Sequence, residues 1–178
     1  KNITVVGSGY VGMANATMLS RYNSVTVLDI DKNRVDLVNN KQSTVEDRNI
    51  QEFLDTENIT LKATTDQRIA YENAEWVIIA TPTDYDETTN YFNTDSIQSC
   101  IRDCIEYNPD ANIVIKSTIP VGFVESMQEK FGKSNILFSP EFLREGTSIY
   151  DYYNPPITVV GSSNIKSKEI ISSIELSK

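Results

Sequence analysis

Residues 3 to 12 read Ile-Thr-Val-Val-Gly-Ser-Gly-Tyr-Val-Gly, a β-branched run that breaks straight into a Gly-x-Gly-x-x-Gly turn. A strand followed at once by this turn and then a helical stretch leaves few folds open. Gly7 permits the tight strand-to-helix turn, Gly9 lets backbone approach a pyrophosphate with no Cβ in the way, and Gly12 lets the following helix lie close on the sheet. The helix then directs its free N–H groups at an anion. Asp29 stands at the end of the next apolar run, 22 residues after Gly7. A carboxylate there can accept hydrogen bonds from ribose hydroxyls. It also disfavours a 2′-phosphate, since like charges about 4 Å apart cost ~4 kcal/mol at an effective dielectric of about 20. The pattern implies NAD rather than NADP.

Strand and helix signals alternate along the rest of the chain. Strands are expected near 3–6, 25–28, 60–62, 76–80, 112–116, 136–138 and 157–160. Helices are expected near 10–20, 32–40, 66–72, 94–107, 122–131 and 164–176, with a weakly signalled short helix around 51–54. Near-continuous apolar strands such as Trp76-Val-Ile-Ile-Ala80, alternating with amphipathic helices, predict an α/β, Rossmann-like, doubly wound sheet. The sheet is mainly parallel, with helices on both faces, and residues 1–178 form one domain. Ligands of such sheets bind beyond the carboxyl ends of the strands.

Composition narrows the partners. The net charge of −9 argues against nucleic acid and anionic membrane surfaces, because no basic stripe is present to meet phosphates. No apolar run is long enough to span a bilayer, and a strand beginning at Ile3 leaves no room for a leader, so a cytoplasmic location is expected. Cys100 and Cys104 sit four apart in a helical stretch and read as buried, inert thiols. With no histidine in the chain, no metal site is expected.

Three strand ends carry candidate chemistry. Thr81-Pro82-Thr83 suits the lining of a nicotinamide ribose, or else a helix-initiating turn. In Ser117-Thr118-Ile119-Pro120-Val121-Gly122, Thr118 can hold a water or a cofactor amide, whereas Ser117 and Pro120 read as turn and cap. Ser139-Pro-Glu-Phe-Leu-Arg-Glu-Gly146 would set Glu141 and Glu145 on one face with Arg144 beside them if the segment is helical. Paired acids can divide into a base and a charge partner, or simply form surface ion pairs. Residues 84–95 read as a polar loop carrying three aromatics, with Asn93 or Thr94 capping the next helix. Asp31 is placed to cap the helix that follows it at 32–40, and Arg34, one turn into that helix, can lie along an adenine edge or remain a surface cation.

Taken together, these residues resemble the NAD-binding half of the UDP-glucose 6-dehydrogenase family, within the UDP-glucose/GDP-mannose dehydrogenase superfamily. The resemblance rests on Gly7-Ser8-Gly9-Tyr10-Val11-Gly12, Asp29, Thr81-Pro82-Thr83-Asp84-Tyr85-Asp86, Thr89-Asn90-Tyr91-Phe92, Ser117 to Phe123 and Ser139 to Gly146. It implies oxidation of a nucleotide sugar at C6 by two hydride transfers to NAD, through a thioester on a cysteine. It places Gly7, Gly9, Tyr10, Val11, Gly12, Asp29, Arg34, Thr81, Pro82, Thr83, Thr118 and Glu145 around NAD. Thr118 and Glu141 fall beside the water that hydrolyses the thioester. Glu141, Phe142, Leu143, Arg144 and Glu145 fall beside the substrate, which for this branch is UDP-glucose. Neither Cys100 nor Cys104 lies in the family's cysteine motif.

The chain starts at Lys1 and ends after a stretch whose Ile170, Ile171 and Ile174 would want a partner surface. A fragment is therefore expected, lacking the connecting helix, the cysteine and the second nucleotide-binding domain. The family resemblance implies a homodimer for the intact enzyme and allows a monomer for this chain. A related enzyme acting on GDP-mannose or UDP-N-acetylmannosamine is the alternative. A regulatory NAD-sensing module would share the glycines and Asp29 but would not need the Thr118 and Glu141 motifs.

Overall fold

The chain opens with β1 (Asn2–Val6), α1 (Tyr10–Leu19), β2 (Ser24–Leu28), α2 (Lys32–Asn39), α3 (Arg48–Thr56) and β3 (Thr60–Thr64). It continues through α4 (Gln67–Tyr71), β4 (Trp76–Ile79), a small β5 (Tyr85–Asp86) and β6 (Tyr91–Phe92), and α5 (Asp95–Tyr107). β7 (Asn112–Ile115), α6 (Phe123–Phe131), β8 (Ile136–Phe138) and α7 (Ser148–Tyr153) complete it. This computed structural model describes residues 1–88, 91–144, 146–153, 159 and 161.

The main sheet has six strands in the order β3-β2-β1-β4-β7-β8, every neighbouring pair parallel. Period-2 patterning explains how both faces are covered. Ile3, Val5, Trp76, Ile78, Val114 and Leu137 pack with Met13, Ala14 and Leu19 of α1, Val38 of α2, and Ile50 and Leu54 of α3. The alternate residues Val6, Val77, Ile79, Ile113, Ile115 and Ile136 pack with Ala70 and Tyr71 of α4, Ile97, Ile101 and Cys104 of α5, and Met127 of α6. The doubly wound expectation holds. Its topological switch falls where β1 parts to β2 on one side and β4 on the other, which opens a crevice above the strand ends.

Four local features differ from the sequence reading. α3 runs nine residues instead of a short stretch at 51–54, because the Asp47 carboxylate accepts from the N–H groups of Asn49 (2.9 Å) and Ile50 (3.2 Å), starting the helix early. Ile50 and Leu54, one turn apart, then bury its face. The 84–95 loop holds an antiparallel pair, Tyr85 opposite Phe92 and Asp86 opposite Tyr91. α7 was not expected, and it packs on α1 and α3. Finally, residues 139–144 are not helical, so the single helical face for Glu141 and Glu145 does not form there. The proline at 140 and the β8 exit favour extended backbone. Apart from Val159, the expected strand at 157–160 and the helix at 164–176 lie outside the described residues. Gly161 makes one antiparallel bridge to Phe138 at the sheet edge.

Helix capping follows the sequence closely. Asp31 caps α2 by accepting from Asn33 N at 2.8 Å. At α5, Asn93 Oδ1 accepts from Asp95 N at 3.0 Å, while Thr94 occupies the cap position without capping through its side chain.

Candidate functional site

The glycine loop between β1 and α1 is shaped by close backbone approaches. Gly7 has φ +93°, and a Cβ there would lie 2.8 Å from the Ala80 carbonyl oxygen. A Cβ on Gly12 would lie 1.9 Å from the Gly7 carbonyl oxygen, so only glycine lets α1 start this near the loop. Gly9 is different: a Cβ there would meet nothing within 4 Å. The protein itself has no need of glycine at that position, and the open space beside it is a cradle a side chain would fill. α1 begins immediately beyond, with Met13 N donating to Gly9 O at 2.8 Å.

Asp29, just past β2, is tied to this loop. Its Oδ2 accepts from Ser8 N at 2.9 Å and also from Ser8 Oγ, and its Oδ1 accepts from Asp31 N at 3.0 Å. Arg34 Nη1 reaches across from α2 to donate to Ser8 O at 3.1 Å, and Thr44 Oγ1 donates to the same carbonyl. Arg34 is therefore anchored to the loop while 41% of its side chain stays exposed. Ser8, buried at the centre of this knot, was not singled out by the sequence reading, although it stands between the first two glycines of the motif.

Gly9, Tyr10, Val11, Ala80, Thr81, Pro82, Thr83, Lys116, Ser117, Thr118 and Glu141 line a cleft of about 280 Å³ at the switch point. Its far wall is stapled: Ser117 Oγ donates to Thr81 O at 2.6 Å, and Ser96 Oγ donates to Pro82 O at 3.2 Å. Thr118 is exposed toward the opening. Glu141 is bound at the floor, where its Oε2 lies 3.2 Å from Lys116 Nζ and 3.1 Å from Asn15 Nδ2. Sequence reasoning missed both partners. Nothing in the sequence around Asn15 marks it as a partner; Lys116 left a usable signal, a lone charge at the end of Ile-Val-Ile.

The neighbouring segment divides its residues among different tasks. Phe142 is half exposed, while Leu143 packs with Ile149 against the α1 side of the core. Arg144 is engaged by Asp151: its N, Nε and Nη2 all donate to that carboxylate, at 3.0, 3.1 and 2.7 Å. Thr147 Oγ1 adds a fourth bond at 3.1 Å. Hydrogen bonds from the Arg144 side chain and backbone hold the Asp151 carboxyl well below the usual carboxylate range. Glu145 lies outside the described residues. Away from the cleft, burial pushes the thiols of Cys100 up to about 11 and Cys104 up to about 12, in keeping with inert packing residues. Among the described residues no group of His, Cys, Asp or Glu is arranged to hold a metal, and no helix is long and apolar enough to cross a membrane.

A parallel sheet with a switch-point crevice, an open cradle beside Gly9 at the N-terminus of its first helix and an acid at the second strand end together define a dinucleotide-binding Rossmann domain. The sequence profile of the "UDP-glucose/GDP-mannose dehydrogenase family, NAD binding domain" matches residues 1–175. The chain belongs to this family, as its NAD-binding domain. It is 44% identical over 171 residues to the UDP-glucose 6-dehydrogenase of Campylobacter jejuni, covering 94% of this chain and 43% of that protein. It is 43% identical to the enzyme of that name from Streptococcus pneumoniae, covering 90% of this chain and 41% of the relative. The chain thus spans less than half the length of these relatives. Among solved structures, a ternary complex of GDP-mannose dehydrogenase from Pseudomonas aeruginosa superposes with a TM-score of 0.85 at 25% identity, over 98% of this chain and 44% of that one. A UDP-N-acetyl-mannosamine dehydrogenase from Staphylococcus aureus shares the fold, with a TM-score of 0.81 at 21% identity, over 99% of this chain and 45% of that one.

Proposed function

We propose that residues 1–178 are the NAD-binding half of an enzyme that oxidises UDP-glucose to UDP-glucuronate, the rest of the substrate site coming from sequence beyond this chain. The observation that carries this reading is Glu141, a largely buried carboxylate set into the floor of the dinucleotide crevice with Thr118 at the same opening. A purely regulatory NAD sensor has no use for a carboxylate held there.

The N–H groups at the start of α1 and the space beside Gly9 receive the pyrophosphate, with Tyr10 and Val11 flanking it. Asp29, already oriented by Ser8, accepts from the adenosine ribose, and Arg34 lies beside it. Thr81, Pro82, Thr83 and Thr118 line the nicotinamide end, and the family resemblance assigns Glu145 to the same cofactor. Bound NAD supplies a hydride acceptor. Glu141 takes a proton from a water held by Thr118 as that water's oxygen bonds to the acyl carbon of the thioester implied by the family resemblance. The sulfur then leaves with the electron pair, so the carboxyl holds the proton and the product is the acid. Phe142, Leu143 and Arg144 shape the sugar side through their segment.

We infer a homodimer for the intact enzyme, a monomer for this chain alone and a cytoplasmic location, supported by the net charge of −9 and the family. The substrate is UDP-glucose in this reading, because two relatives at 43–44% identity are named UDP-glucose 6-dehydrogenase whereas a GDP-mannose 6-dehydrogenase from Pseudomonas syringae stands at 31%. Calorimetric titration of this chain with NAD tests the cofactor half. NADH absorbance from the full-length polypeptide with UDP-glucose, GDP-mannose and UDP-N-acetylmannosamine tests the rest. Faster turnover of either of the latter two overturns the UDP-glucose assignment.

A further inference from the structure

The Glu141 carboxylate is held from three directions. Its Oε2 meets Lys116 Nζ at 3.2 Å and Asn15 Nδ2 at 3.1 Å, and its Oε1 accepts from Phe142 N at 3.3 Å. Both side-chain donors are themselves immobilised. Asn15 is 2% exposed and its Nδ2 also donates to Val11 O at 2.8 Å, which fixes the plane of the amide on α1. The Lys116 side chain is 5% exposed, its Nζ also reaches Ser139 Oγ at 3.3 Å, and its backbone N donates to Ile79 O at 2.9 Å. Groups from α1, from the end of β7 and from the exit of β8 thus converge on one carboxylate.

A surface ion pair swings freely and sets no geometry, whereas a pair locked into three elements fixes where each oxygen points. Two side-chain donors on Oε2 occupy that oxygen as an acceptor. Oε1, with one long backbone bond, keeps a lone pair for the cleft. We propose that Lys116, seconded by Asn15, is the positioning residue for Glu141: it holds Oε2 to the floor so that Oε1 is presented to the water. This rests on Glu141 acting as the base, as proposed above.

The test is a double-mutant cycle in the full-length polypeptide with UDP-glucose and NAD. Glu141→Gln should lower kcat by about 100-fold or more, and Lys116→Met by about tenfold or more, with KM for UDP-glucose and Kd for NAD within about threefold of wild type. In the Glu141→Gln background, Lys116→Met should cost nothing further, because its whole effect passes through that carboxylate. The crystal structure of Lys116→Met should show Glu141 turned away from Asn15. Should Lys116→Met fail to fold, Asn15→Ala leaves the ion pair in place and should show a smaller kcat loss that likewise vanishes in Glu141→Gln. An equal loss in both backgrounds, or a raised KM with kcat unchanged, overturns the positioning role while leaving Glu141 as base. Wild-type kcat in Glu141→Gln instead overturns the functional reading of Glu141, and the positioning role with it.

Discussion

Replacing Gly9 or Gly12 by alanine adds the same methyl group to two glycines of one loop, and the structure requires opposite consequences. At Gly12 the new Cβ lies 1.9 Å from the Gly7 carbonyl oxygen and 2.9 Å from its carbon. A carbon and an oxygen rest about 3.3–3.6 Å apart, so the start of α1 and the loop must separate by roughly 1.4 Å or more. The obstacle is backbone, which cannot rotate away as a side chain can. Forced overpacking costs about 1–3 kcal/mol, and this case belongs at the upper end. For a chain of this size each kcal/mol moves Tm by about 2–4 °C, giving an expected drop of about 6–12 °C. At Gly9 the Cβ enters open space, and φ −74°, ψ −172° is ordinary extended backbone that alanine adopts. Losing a glycine cap costs a few tenths of a kcal/mol or more, and the stiffer unfolded chain returns about 0.4–1 kcal/mol, so Tm should stay within about 4 °C. The methyl nevertheless fills the cradle over which a pyrophosphate must lie, and NAD affinity should fall by about tenfold or more. Differential scanning calorimetry and NAD titration on wild type and both variants separate the cases. Unchanged NAD affinity in Gly9→Ala would refute the cradle, and an unchanged Tm in Gly12→Ala would refute the close helix approach.

Asp29→Ala removes the acceptor proposed for the ribose and the anchor for Ser8, so NAD affinity should drop about 10- to 100-fold and the preference over NADP should shrink by at least about tenfold; titrating both cofactors checks it, and a constant affinity ratio counts against Asp29. The Asp151 carboxyl is held below its ordinary range by Arg144, so its contribution is complete above that range and drains away as pH falls through about 4 and below. Limited proteolysis should accordingly find residues 139–153 increasingly cleavable at acid pH, with Asp151→Asn already cleavable at neutral pH; equal resistance of variant and wild type would show the clamp to be dispensable. Cys104, fully buried, and Cys100, partly buried, with thiols pushed up to about 12 and about 11, should resist a disulfide reagent at neutral pH until the chain unfolds, and prompt native-state labelling of Cys104 would contradict its burial.

Much of this protein could be read from local chemistry. β1, the glycine turn and Asp29 announce themselves because a β-branched run, a positive-φ glycine and an acid at the next strand end are requirements of backbone sterics and charge acting over a few residues. The two faces of the sheet follow from alternation in Ile3-Thr-Val-Val6 and Trp76-Val-Ile-Ile79, where side-chain direction is a property of the strand itself. Asp31 as a cap is equally local. α3 was underestimated because the boundary was sought in apolar periodicity, while the Asp47 side chain moves the start forward.

What the sequence could not disclose are pairings between residues far apart in the chain. Asn15 and Glu141 are 126 positions apart and Arg34 and Ser8 are 26 apart, and no periodicity records that they meet. The paired-glutamate reading of 139–146 assumed a helix; in the fold Glu141 instead finds its partners on α1 and beyond β7, and Arg144 is taken up by Asp151. The sequence alone determined that this chain builds a dinucleotide crevice, because each part of that motif is a short-range demand on the backbone. Only the tertiary structure decided which charges stand at its floor, because burying a carboxylate is tolerable only where donors from several elements arrive together.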